Sequence, residues 1–162
     1  MFSNCTSLIE IPELNTKNVT AMGSMFNECS SLETIRGLDM RSCTSTWNTF
    51  VGCSNLKNAT ITNIITDIKI SSCSNLTLDS LLKIIYELHI NTATKAKTLN
   101  VGFDNLDKLA SVYVKLIDIT DDMRATDDLI DNKLPFIVCE SSDEGAILIT
   151  DYATQKNWTI SR

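Results

Sequence analysis

With 162 residues, 43% hydrophobic and 21% charged, the chain is long enough to bury one core, or one short stack of repeats fused to a cap. Its net charge of −6 excludes the basic stripe that a nucleic acid partner requires, and no apolar run approaches the ~18 residues of a membrane span. The first residues also lack the basic start and apolar stretch of a secretory leader.

The phrase Met1-Phe2-x-x-Cys5-x-Ser7-Leu8-x-x-Ile11 returns as Met25-Phe26-x-x-Cys29-x-Ser31-Leu32-x-x-Ile35, and again as Phe50-x-x-Cys53-x-Asn55-Leu56-x-x-Ala59. Equivalent cysteines are 24 residues apart twice, then 20 apart from Cys53 to Cys73. A fixed period of this length predicts a short right-handed leucine-rich-repeat solenoid with one parallel strand per coil, in which like side chains pile into shared columns. Leu14 and Val19 align with Leu38 and Cys43, which places Cys43 in an apolar slot. At the fourth coil the phrase degrades to Ile70-Ser71-Ser72-Cys73-Ser74-Asn75-Leu76, so residues 1–76 are read as the solenoid. Met1 is the internal Met of the phrase. The expectation is a truncated N-terminus whose uncapped coil exposes a sheet edge and invites end-to-end association.

From Leu78 the apolar residues Leu78, Leu81, Leu82, Ile85 and Leu88 fall on one helix face, with Thr77 as N-cap and Asp79 near the positive end of the dipole, which predicts a helix over residues 77–90. Thr98-Leu99-Asn100-Val101 reads as a strand closed by Gly102. Val112 to Ile119 is apolar on both faces and fits strand or helix. Pro135 to Cys139 reads as a strand with Pro at its first residue. A last helix is predicted from Ser142 or Asp143 through Ala146, Ile149, Tyr152 and Ala153, followed by a strand at Asn157–Ile160. Residues 77–162 thus form an α/β C-terminal cap, the element that shields the end of a stack from water.

In the cysteine column Cys5, Cys29, Cys53 and Cys73 would follow one another at roughly the 4.8 Å spacing of neighbouring strands, as small buried thiols able to hydrogen-bond a carbonyl. Zinc would want paired spacings that the long gaps and the lone His89 do not supply, and parallel packing disfavours disulfides within the column. His89, at the end of the first predicted helix, lies in no catalytic phrase. The acidic cluster Asp118, Asp121, Asp122, Asp127, Asp128 and Asp131 lacks the calcium-loop pattern and reads as a solvated face. A hydrolase built there would need paired carboxylates about 5 to 9 Å apart, and this is the less favoured reading. Five Asn-x-Thr triplets, at Asn4, Asn18, Asn58, Asn75 and Asn157, reflect a chain rich in both residues. No cofactor or metal is expected.

Two features carry the binding expectation. The residues flanking the inward Ile11, Ile35 and Ala59 give the outward columns Glu10, Thr34, Asn58 and Pro12, Arg36, Thr60. Trp47 replaces Gly23 at its repeat position, either as an exposed anchor for a partner or as a local plug.

The phrase N-V-T-A-M-G-S-M-F-N-E-C-S-S-L at residues 18–32 resembles the repeat of BspA-type leucine-rich repeat proteins, which reads close to n-V-t-n-M-s-s-M-F-s-g-C-s-s-L. Val19, Met22, Met25, Phe26, Cys29 and Leu32 fall on motif positions, and the third copy departs at Cys43, Thr46 and Thr49. The match covers residues 1 to about 76. Residues 75–109 and 153–160 resemble the C-terminal cap that often follows such repeats, which makes residues 110–152 an insertion. The resemblance implies a non-enzymatic role outside the cell, at a cell surface or on a virion, in adhesion to host or microbial proteins or glycans. The alternative it implies is a structural or receptor-binding part of a phage tail.

Overall fold

Ile11, Ile35 and Ala59 each sit between exposed or half-exposed neighbours, and this alternation makes strands with one face turned to the core. The computed structural model describes residues 1–116 and 136–162. Strands β1 (Glu10–Ile11), β2 (Thr34–Asp39) and β3 (Asn58–Thr62) form a parallel sheet in the order β1-β2-β3. Glu10 pairs with Thr34 and Thr34 with Asn58, while Ile11, Ile35 and Ala59 form the adjacent inward column. Beyond Ile35 the register shifts, because Leu38 faces Ile61. Arg36 and Gly37 therefore share the space opposite Thr60, and the expected column Pro12, Arg36, Thr60 is broken by this bulge. The offset is recovered at Asn63, which takes φ 53°, so the spacing of 24 is kept from Asp39 to Asn63.

Behind the sheet the apolar repeat positions stack. The rings of Phe2, Phe26 and Phe50 lie parallel, with centroids 5.7 and 5.8 Å apart. The thiol of Cys29 donates to Phe2 O at 3.0 Å and that of Cys53 to Phe26 O at 3.1 Å, while Cys73 Sγ lies 3.9 Å from Phe50 O. Cys29, Cys43, Cys53 and Cys73 are buried as expected, but Cys5 is exposed. Cys29, Cys53 and Cys73 each reach a carbonyl of the preceding repeat, whereas among the described residues Cys5 has a repeat on one side only. Leu32, Leu56 and Leu76 are also fully buried. Each such side chain is worth about 1.5–3 kcal/mol, so these columns, rather than exposed ion pairs, hold the stack together.

Helix α1 (Leu78–Tyr86) takes the place of a fourth strand on this side. Its N-cap Thr77 accepts from Ser80 N, and the buried Ser80 Oγ accepts the backbone N–H of Ala59 at 3.2 Å. The free edge of β3 is thus covered by a helix. The helix is shorter than the predicted 77–90, because Leu88 leaves it to bridge Ile64 in parallel and His89 N donates to Ile64 O. His89 consequently lies beyond the helix end.

A second parallel sheet, on the other side of the coils, orders β4 (Ile68–Lys69), β5 (Lys97–Asn100) and β9 (Trp158–Ser161) as β4-β5-β9. Beside it the parallel bridge between Ala21 and Ser45 marks a second short ladder, and Thr46 Oγ1 donates to Asp67 O at 2.6 Å. Helix α2 (Phe103–Leu109) follows β5. Its buried Asn105 donates to the carbonyls of Cys73 and Val101, which ties α2 to the last cysteine of the repeat.

Strands β6 (Tyr113–Leu116), β7 (Phe136–Cys139) and β8 (Ile147–Leu148) form an antiparallel sheet in the order β7-β6-β8. Helix α3 (Ile149–Gln155) starts later than the predicted Ser142 or Asp143. Asp143 and Ala146 are held in turns ending on Gly145 at φ 77°, and Ile147–Leu148 is committed to pairing with β6. The architecture is mixed α/β, with three helices, short strands and no closed barrel among the described residues.

Candidate functional site

On the β1–β3 face Glu10 and Arg36 are exposed and joined by an ion pair, and Glu33 and Lys57 form another at 3.0 Å. The Arg36 guanidinium beside Glu10 holds its carboxyl below the usual carboxylate range. Asn58 and Thr60 are exposed, as is Pro12, and Thr34 is half-buried. The structure therefore brings Glu10, Thr34, Asn58, Arg36 and Thr60 onto one face, but pairs their charges with one another.

Trp47 lies elsewhere. It follows Ser45 on the second ladder, and its carbonyl accepts from Ser24 N at 2.7 Å. With 71% of its surface exposed, it is not a plug. The segments of this short ladder and of β4, β5 and β9 read Ala21-Met22-Gly23, Ser45-Thr46-Trp47, Asp67-Ile68-Lys69, Thr98-Leu99-Asn100 and Thr159-Ile160-Ser161. In each the middle residue is buried or half-buried and the flanking residues are more exposed or polar. The result is a second outward face of short polar side chains with one aromatic. Asp67 Oδ1 accepts the backbone N–H of Thr98 at 2.6 Å, which ties β4 to β5 at the surface.

Sequence reasoning missed Asp67, Lys69, Thr98 and Asn100 as members of a surface. The signal available was the polar-apolar-polar alternation shared by Asp67-Ile68-Lys69, Thr98-Leu99-Asn100 and Thr159-Ile160-Ser161.

The remaining candidates offer little chemistry. Burial raises the thiol pKa of Cys29 and Cys73 and pushes that of Cys53 up to about 12, which keeps them protonated and poor nucleophiles. His89 is exposed, with Nδ1 3.0 Å from Ile90 O. Among the described residues no three His, Cys, Asp or Glu side chains converge as metal ligands. The cluster Asp118, Asp121, Asp122, Asp127, Asp128 and Asp131 lies outside the described residues. The Asn157 amide is engaged by the carbonyls of Asn91 and Ala93. Two open depressions beside the first coil, one holding Glu13, Lys17 and Asp39 and the other Met1, Val19 and Met22, contain no Ser, Cys or His. In the first, Asp39 is held below the usual carboxylate range by its hydrogen bond from Arg41.

At the far end, Lys156 projects between Tyr86 and Tyr152, with Nζ 5.1 and 4.8 Å from the ring centroids, and donates to Tyr86 O. Burial lowers its pKa to about 8, partly opposed by Glu87. The ammonium closes the C-terminal end of α1 against α3.

Comparison of the chain with protein-family models, with curated proteins and with solved structures finds no significant match. No helix among the described residues is long and apolar enough to cross a membrane.

Proposed function

We propose that the chain is a short right-handed leucine-rich-repeat solenoid of the BspA type with an α/β cap, and that it acts outside the cell as a non-enzymatic binding surface for proteins or glycans. The observation that carries this reading is the in-register pairing of Glu10, Thr34 and Asn58 beside Ile11, Ile35 and Ala59, which turns a sequence repeat into a repeated surface. The exposed Trp47 on the opposite ladder adds an anchor of the kind that carries binding energy. Buried protonated thiols and self-paired surface charges favour recognition over chemistry. The test is binding of the purified chain to immobilised matrix proteins, microbial cells and a glycan array. Saturable binding to one of them is expected, and none across all three would overturn the proposal.

A further inference from the structure

We draw no further inference here: the strongest candidate, the apolar outer face of the first coil around Met1, Phe2, Leu14 and Val19, carries nothing because nothing in the structure shows what covers it.

Discussion

The thiol of Cys53 reaches back to the carbonyl of Phe26 at 3.1 Å, repeating the bond from Cys29 to Phe2 at 3.0 Å. Both Cys53 and the atom it serves are buried. Phe26 O also accepts the N–H of Cys29, so Cys53→Ala should remove one of its two bonds and leave a small void, at a cost of about 1 kcal/mol in urea unfolding. Cys5→Ala, at the exposed end of the same column, should leave the unfolding midpoint where it was.

Alkaline pH should act on the fold with two opposite signs. A cysteine whose pKa is raised in the folded chain loses its proton more readily when unfolded, so its contribution is present below the ordinary value near 9 and lost as pH rises toward the folded value, about 12 for Cys53. Lys156 is the reverse case. Its pKa falls from 10.5 to about 8, the unfolded chain binds the extra proton in that window, and stability gains as pH rises through it. The gain is modest because the side chain is partly solvated. The melting temperature, followed under reducing conditions from pH 7 to 11, should rise slightly from 8 to 9 and then fall. Lys156→Met should abolish the rise and leave the fall.

Backbone conformation repeats as strictly as side chains. Asn4, Glu28 and Gly52 occupy equivalent positions and take φ of 62°, 59° and 77°. Only the middle copy carries a residue poorly suited to that region. Glu28→Asn should stabilise the chain by about 0.5–1 kcal/mol, read as a higher melting temperature. Gly52→Ala should destabilise it by more than ~1 kcal/mol, since a Cβ there would lie 3.0 Å from Glu28 Cα.

The junction between β3 and α1 depends on one hydroxyl. Ser80 Oγ takes the N–H of Ala59 and its own N–H is capped by Thr77. Ser80→Ala should cost about 1–3 kcal/mol by stranding a buried donor, and Thr77→Ala about 1 kcal/mol by removing the cap. Hydrogen exchange at Ala59 should accelerate in the first variant and not in the second.

The column Glu10, Thr34, Asn58 was legible in the sequence because a constant spacing fixes which residues lie side by side. Its neighbour Pro12, Arg36, Thr60 was not, because the extra residue in β2 is returned at Asn63 and the period conceals it. The helix ends were misjudged where apolar residues serve a strand instead. Leu88 continues the helical spacing but pairs with Ile64, and Ala146 resembles a helix start but closes a turn. Trp47 was singled out as an irregularity, yet the polar face around it went unread because Ser45, Asp67 and Thr98 share no letter, only an outward position.

Asn15, Asp39, Asn63 and Glu87 stand 24 residues apart, and the last three are in contact: Asn63 Nδ2 donates to Asp39 Oδ1 at 3.1 Å, and Glu87 Oε2 accepts from Asn63 N at 3.1 Å. This column thus keeps a spacing of 24 as far as Glu87, although the column of Leu32, Leu56 and Leu76 shortens to 20 at its last step. A module so built is open to lengthening from within. One more 24-residue unit spliced between Asp39 and Asn63 would meet matching neighbours above and below, and the reach of the molecule could grow without either terminus being redesigned.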